Sequence, residues 1–168
     1  AAHAFAVKRD GSSILNHGGL SVLSFHATKV FNTVEGGAII CPDEKVKRRI
    51  DYLKNFGFAD ETTVVAAGIN GKMSEFQAAF GMLQLKHVDA AFEVRQRIYQ
   101  RYETALAAVP GVSMGHSDAQ TEWNYAYCPL FIHPEHFPLS RDQLYERLKE
   151  EGIYARRYFY PLISQFPM

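Results

Sequence analysis

Lys29 is the residue whose surroundings in the sequence best suit covalent chemistry. It ends the segment SFHATK at residues 24–29, which directly follows the apolar run LSVL and precedes the glycine pair of EGG. We therefore expect Lys29 on a loop at the end of a strand. A lysine flanked there by small and hydroxyl residues can lose its proton and attack a carbonyl carbon as a nucleophile. A solvated lysine between two strands fits the same local pattern.

The elements that position Lys29 are predicted from hydrophobic spacing and end signals. The first forty residues indicate strands and tight loops, opening with an apolar strand in AAHAFAV. An amphipathic helix begins near Val46 and ends near Gly57. Ser74 and Gln77 form the pattern of a capping box, so a helix should start at Ser74. Two long helices are expected over residues 74–108.

A smaller α+β unit is predicted after Pro110-Gly111, which ends the second of these helices. Short β-rich runs come first, and a second capping box at Ser140 to Gln143 begins a helix that ends at Gly152. The aromatic run IYARRYFYPL then reads as a strand. We predict two domains, the first over 1–108 and the second over 109–168.

Composition and charge exclude several classes of function. The 168 residues carry 18 Lys plus Arg and 18 Asp plus Glu, a net charge of zero, which argues against nucleic acid or an anionic membrane as the main partner. No window approaches the roughly 20 apolar residues of a membrane span, so we expect a cytoplasmic protein. Two cysteines, Cys41 and Cys128, provide no disulfide framework. No metal is expected, because Pro134 prevents helical stacking of His133 and His136.

Four sequence blocks in a fixed order carry a family resemblance. They are SFHATK, EGGAI, the pattern G-x-N-G-K-M-S-E at 68–75, and QAAFGMLQL at 77–85. With them the chain resembles the sugar aminotransferases of the DegT/DnrJ/EryC1/StrS family, which use pyridoxal 5′-phosphate (PLP). The resemblance implies an α/β fold of the aspartate-aminotransferase type (fold type I). The chain would supply the C-terminal part of the large domain and most of a small α+β domain.

The resemblance also assigns roles at the cofactor. Lys29 inherits the lysine that carries PLP, and Ser24 the serine that hydrogen-bonds its phosphate. His3 matches a residue that contacts the cofactor ring, although a lone histidine on a strand is usually a core or edge residue. Asn70 matches an asparagine that reaches the partner's cofactor phosphate in a homodimer with shared active sites. By itself, Asn70-Gly71 is equally a common turn dipeptide.

Substrate contacts are predicted in the second domain. Arg156 and Arg157, beside Tyr158, offer planar donors and an aromatic face that suit a pyrophosphate and a base or sugar. Arginines at a strand edge explain the same pattern. Lys72 is either a phosphate contact or a solvated charge.

The implied reaction is PLP-dependent transamination of a nucleotide-linked keto sugar, with L-glutamate as amino donor. The run ARRYFYPLIS resembles relatives that aminate C4 of dTDP-4-keto-6-deoxyglucose, for surface polysaccharide or deoxyamino-sugar biosynthesis. Two alternatives are a PLP-dependent sugar dehydratase and a non-catalytic regulator or sensor. The dehydratase carries histidine in place of the lysine, so Lys29 argues against it.

The resemblance further implies residues upstream of this chain. The aspartate that pairs with the pyridine nitrogen of PLP would immediately precede Ala1, and a phosphate-binding turn would lie further upstream. We therefore expect the 168 residues to be part of a longer polypeptide, and not to hold PLP productively by themselves.

Overall fold

The computed structural model describes residues 1–115, 118–158 and 160–167, and the chain in it forms two compact units. The first unit contains residues 1–100 and 116–127, and the second contains 101–115 and 128–168. The chain thus returns to the first unit after it has begun the second. The division into domains at residues 108 and 109 stays a prediction.

The described parts of the two units contain short antiparallel strands and four α-helices. The strands are β1 (Lys8–Arg9), β2 (Ser12–Ser13), β3 (Ser21–Ser24), β4 (Gly37–Ile40), β5 (Val112–Met114), β6 (Thr121–Glu122) and β7 (Leu130–Ile132). The helices are α1 (Glu44–Lys54), α2 (Glu75–Leu85), α3 (Val88–Leu106) and α4 (Arg141–Glu150). In the first unit β2, β1 and β6 form one sheet and β3 pairs with β4, while in the second unit β5 pairs with β7.

The expected strand over the first seven residues is wrong. These residues form consecutive turns, in which the amide of Ala4 donates to the carbonyl of Ala1 and the amide of Val7 to that of Ala4. Ala6 has a φ of 60°, a left-handed conformation that a strand does not accommodate. Strand pairing begins only at β1.

The hairpin of β3 and β4 is the frame on which the Lys29 loop is built. Its register pairs Ser24 with Gly37, and the side chain of Leu23 in β3 is buried. Phe31, from the loop between the strands, is buried against the rings of Phe5 and Phe25, with centroid distances of 4.5 and 4.8 Å. This aromatic cluster anchors the loop and the N-terminal turns to the same core.

The predicted helix starts are confirmed at both capping boxes. Ser74 caps α2 by accepting from the amide of Gln77, and Ser140 caps α4 by accepting from that of Gln143. In both cases the glutamine side chain pairs with the backbone of the capping serine, which satisfies amide groups that the helix leaves open. No helix in the part of the chain that the structure describes is long and apolar enough to cross a membrane.

The strand predicted after α4 is also wrong for the described residues of that run. Residues 153–157 belong to no strand, and the amide of Ile153 donates to the carbonyl of Leu148 at the end of α4. The guanidinium of Arg157 lies over the ring of Tyr145, which belongs to α4, at 4.7 Å. The run therefore bonds to its own preceding helix instead of to a neighbouring strand.

We predict that replacing Gly37 by alanine destabilises the hairpin. A Cβ atom at residue 37 would lie 2.7 Å from the backbone carbonyl oxygen of Leu23, which cannot move without disturbing the ladder. The expected loss is about 1–3 kcal/mol of unfolding free energy, measured as a lower denaturation midpoint. Gly19→Ala is the matched control, because nothing lies within 4 Å of its new Cβ. Equal midpoints for the two variants would contradict the prediction.

Candidate active site

The Lys29 loop is held by backbone hydrogen bonds at its base and within it. The amide of Phe25 donates to Gly36 across the base at 2.8 Å, and the amide of Thr33 donates back to Phe25 at 2.9 Å. The amide of Lys29 itself donates to His26 at 2.9 Å. Lys29 thus lies on a tied loop at the end of β3, as the sequence predicts.

The amine of Lys29 lies beside the imidazole of His3, with 2.9 Å between Nζ and Nε2, and both side chains are half-buried. Burial and the charge of Lys29 hold the pKa of His3 below its usual value of 6.5, so the imidazole is neutral at neutral pH. When the Lys29 amine is an ammonium group, which has only donors, Nε2 of His3 accepts from it and the ring proton lies on Nδ1. The arrangement gives the amine of Lys29 a fixed hydrogen-bond partner.

His3, Ser24 and Lys29 line one cavity of the first unit. The space enclosed is about 10 Å³, roughly the size of one water, and Thr28 contributes to its wall. Tyr127 also lines the cavity, and its ring meets the His3 ring edge-on at 4.9 Å. Three of the residues predicted at the cofactor are thereby brought together.

Two features of the site are missed by sequence reasoning. His26 Nδ1 lies 2.7 Å from a carboxylate oxygen of Glu35, so these side chains bridge the two ends of the Lys29 loop. Asn124 is only 2% exposed and its carboxamide bonds to the backbone of the N-terminal turns. One signal for Asn124 is available in the sequence, since it is a carboxamide inside the aromatic stretch WNYAY.

Asn70 lies outside this cavity, on an exposed and fixed stretch of backbone. It forms an isolated bridge with Asn55, and the flanking amide of Gly71 donates to Lys54 at the end of α1. Lys72 donates to the side chain of Asn55 at 3.0 Å and lies over the ring of Phe56, so its charge has contacts within its own unit. The role of Asn70 at a partner's cofactor stays a prediction.

The predicted substrate residues lie in the second unit. The guanidinium of Arg157 lies over the ring of Tyr160 at 4.4 Å and has a carboxylate oxygen of Asp142 at 3.7 Å. Arg156 and Tyr158 are exposed. Arg157 therefore helps to hold its own segment, whereas Arg156 presents its charge to solvent. Their roles toward a substrate stay predictions.

The side chains around the cavity fit one end of PLP. A half-buried amine suits its aldehyde, the hydroxyl of Ser24 suits a phosphate oxygen, and the imidazole of His3 suits a planar ring with polar substituents. Among the described residues, no three His, Cys, Asp or Glu side chains are grouped to hold a metal ion. The donor set therefore favours an organic cofactor that reacts with an amine.

Comparison with curated proteins finds close relatives over the whole chain. It is 51% identical over 166 residues to a dTDP-4-amino-4,6-dideoxy-D-glucose transaminase of Shigella dysenteriae. It is 48% identical over 169 residues to the protein of the same name from Escherichia coli. The alignments cover 99% and 100% of the chain but 45% of each relative. The chain thus spans a little under half the length of these relatives.

Solved structures show the same relationship in three dimensions. A structure of DesI determined with its TDP-sugar product matches 96% of this chain and 41% of its own, with a TM-score of 0.88 and 37% identity. A DegT/DnrJ/EryC1/StrS aminotransferase of Brucella abortus matches 94% of this chain and 41% of its own, with a TM-score of 0.83 and 26% identity. The predicted fold class is confirmed by these matches. Since the family model also matches residues 1–168, the chain belongs to the DegT/DnrJ/EryC1/StrS aminotransferase family.

Proposed function

We propose that the protein containing this chain is a PLP-dependent aminotransferase that moves an amino group from L-glutamate to a nucleotide-linked keto sugar. The observation that carries the proposal is the half-buried amine of Lys29, held 2.9 Å from the imidazole of His3 in the cavity that Ser24 also lines. Family membership and the names of the two relatives support dTDP-4-keto-6-deoxyglucose as the sugar and C4 as the position aminated.

Three residues of this chain are assigned separate roles at the cofactor. When bound, PLP supplies an electron sink for negative charge at the α-carbon of the amino donor. Lys29 holds the cofactor through its amine and, once released, takes and returns the proton as general base and acid. Nε2 of His3 accepts from that amine and orients it, and the Ser24 hydroxyl donates to the phosphate.

Recognition of the sugar nucleotide is assigned to the second unit. The exposed guanidinium of Arg156 suits a pyrophosphate, to which arginine binds with two parallel donors. Arg157 contributes by holding the segment, since its guanidinium lies between the rings of Tyr145 and Tyr160. Tyr158 offers an exposed aromatic face to a base or sugar.

A homodimer with shared active sites is part of the proposal. Helix α2 exposes a row of large apolar side chains, of which Phe76 is 90% and Met82 70% exposed. Apolar exposure on this scale is typical of surfaces that another polypeptide covers. Asn70 is exposed in the same unit, and its amide would donate to a phosphate oxygen in the partner's site.

The surroundings of Lys29 argue against both alternative functions that the sequence leaves open. The sugar dehydratases of this family need a histidine at this place, whereas the structure puts a lysine amine in the cavity. A regulator or sensor needs no oriented amine, and the imidazole of His3 orients this one. Both features favour the aminotransferase.

The test incubates the complete protein with PLP, L-glutamate and a panel of dTDP-, UDP- and GDP-linked keto sugars. We expect an amino sugar and 2-oxoglutarate in equal amounts, detected by mass, with dTDP-4-keto-6-deoxyglucose converted fastest. A visible absorbance band that borohydride removes should accompany the activity. A protein that lacks both the band and the products would be a sensor. One that has the band but removes a ring hydroxyl of the sugar as water, without transferring nitrogen to the product, would be a dehydratase.

A further inference from the structure

The buried polar side chain of Asn124 holds the N-terminal turns that contain His3. Its Nδ2 donates to the carbonyl oxygens of His3 and Phe5, both at 2.8 Å, and its Oδ1 accepts from the amide of Ala126 at 3.1 Å. Two carbonyl oxygens on one side and an amide on the other fix the orientation of the carboxamide. The two bonds of Nδ2 therefore join the N-terminal turns to the segment that carries Tyr127, and the bond of Oδ1 lies within that segment.

The segment around Asn124 is itself held from helix α3. Nη1 of Arg95 donates to the carbonyl oxygens of Tyr125 and Ala126, at 3.4 and 3.5 Å. Tyr125 has a φ of 50°, a conformation that costs free energy for a tyrosine and persists only where surrounding contacts impose it. Such imposed strain is typical of segments whose geometry serves a neighbouring site.

We propose that Asn124 is a positioning residue for the transamination proposed above. Its carboxamide fixes the backbone of His3, so that the imidazole meets the Lys29 amine on one side and the Tyr127 ring on the other. Asn124 is absent from the cavity wall, so it acts through His3 and not by touching a ligand. The proposal rests on the assignment of Lys29 as the proton-transferring amine.

The first test replaces Asn124 by alanine in the complete protein. Misplacement of a catalytic group by about 1 Å costs up to about 100-fold in rate. Loss of the oriented His3 should misplace the Lys29 amine, so we expect kcat to fall about 10- to 100-fold while KM for the keto sugar is unchanged. Asn124→Ser keeps one hydroxyl donor and is the milder variant. It should also lower kcat without changing KM, but by a smaller factor. Met114→Ala is the control, because it truncates a buried side chain in the second unit.

A double-mutant cycle separates positioning from general destabilisation. Because Asn124 acts through the imidazole of His3, Asn124→Ala should lower kcat less than about twofold in a protein that already carries His3→Ala, which has no side chain left to position. Full additivity of the two effects, or an equal loss of kcat in Met114→Ala, would overturn the proposal.

A second readout needs neither cofactor nor turnover. The groups facing His3 are Lys29 and Tyr127, and burial together with the positive charge of Lys29 lowers the pKa of His3. In the cofactor-free protein, Asn124→Ala should release His3 toward solvent and raise its pKa toward 6.5, read by NMR with His3→Gln for assignment. If the protein fails to transaminate, the proposed function falls, while this pKa still decides whether Asn124 positions His3. An unchanged pKa in an active protein would refute the positioning role alone.

Discussion

Replacing Lys29 by alanine should lower transamination at least about 10³-fold, because attachment of the cofactor and proton transfer are lost together. Lys29→Arg should be equally inactive, since a guanidinium keeps the positive charge toward His3 but cannot take the place of the amine. Borohydride reduction of the native protein, followed by peptide mapping, should place the phosphopyridoxyl label on Lys29. The measurement is initial rate with the complete protein at saturating glutamate and sugar.

Lys54→Ala is the matched control for this loss. Lys54 is exposed and pairs with Asp51 on the surface of α1, an interaction that contributes little to stability. Its variant should keep the parent rate and the label. Label on Lys54, Lys72 or any lysine other than Lys29 would show that the assignment is wrong.

Asn70→Ala should raise the dissociation constant of PLP about 10- to 100-fold, the effect expected when a phosphate loses one hydrogen-bond donor. Because the affected phosphate lies in the partner's site, mixing Asn70→Ala protein with Lys29→Ala protein should restore activity. In each heterodimer one site carries both defects and the other carries none. At a PLP concentration that fills the wild-type site but not the Asn70→Ala site, random mixing then predicts about a quarter of the wild-type rate per protomer.

Heterodimer formation must be shown independently, with distinguishable tags on the two variants. Demonstrated heterodimers without restored activity would remove the shared site, and Asn70 would then be an ordinary turn residue. Lys72→Ala serves as the control from the same sequence block, since its amine bonds to Asn55 of its own chain. Its homodimer should keep the parent rate, and mixing it with Lys29→Ala protein should leave the rate per Lys72→Ala protomer unchanged.

The helix ends and the Lys29 loop could be predicted from the sequence because their causes are local. The capping boxes at Ser74 and Ser140 need residues only three apart, and the loop of Lys29 follows directly from the end of β3. These features depend on hydrogen bonds between residues that are close in sequence, so a few consecutive residues are enough to predict them.

The contacts of His3 could not be predicted in the same way. His3 meets Lys29 across 26 residues and bonds to Asn124 across 121, and neither spacing has a periodic signature. The N-terminal segment has strand-like residues, yet tertiary contacts impose turns and a left-handed Ala6 on it. Likewise the aromatic run after α4 stacks Arg157 on Tyr145, which overrides its β propensity.

The contacts on the two sides of the cavity close chain loops of very different length, so the conformational entropy lost on closing them differs. The Lys29 side is closed by the pair of His26 and Glu35, which are nine residues apart. The His3 side is closed by Asn124, 121 residues away. Loop entropy grows with the logarithm of chain length, so the second closure costs about 2 kcal/mol more than the first. The amine of Lys29 is therefore placed by local folding of the hairpin, whereas its imidazole neighbour arrives only when distant parts of the chain have come together.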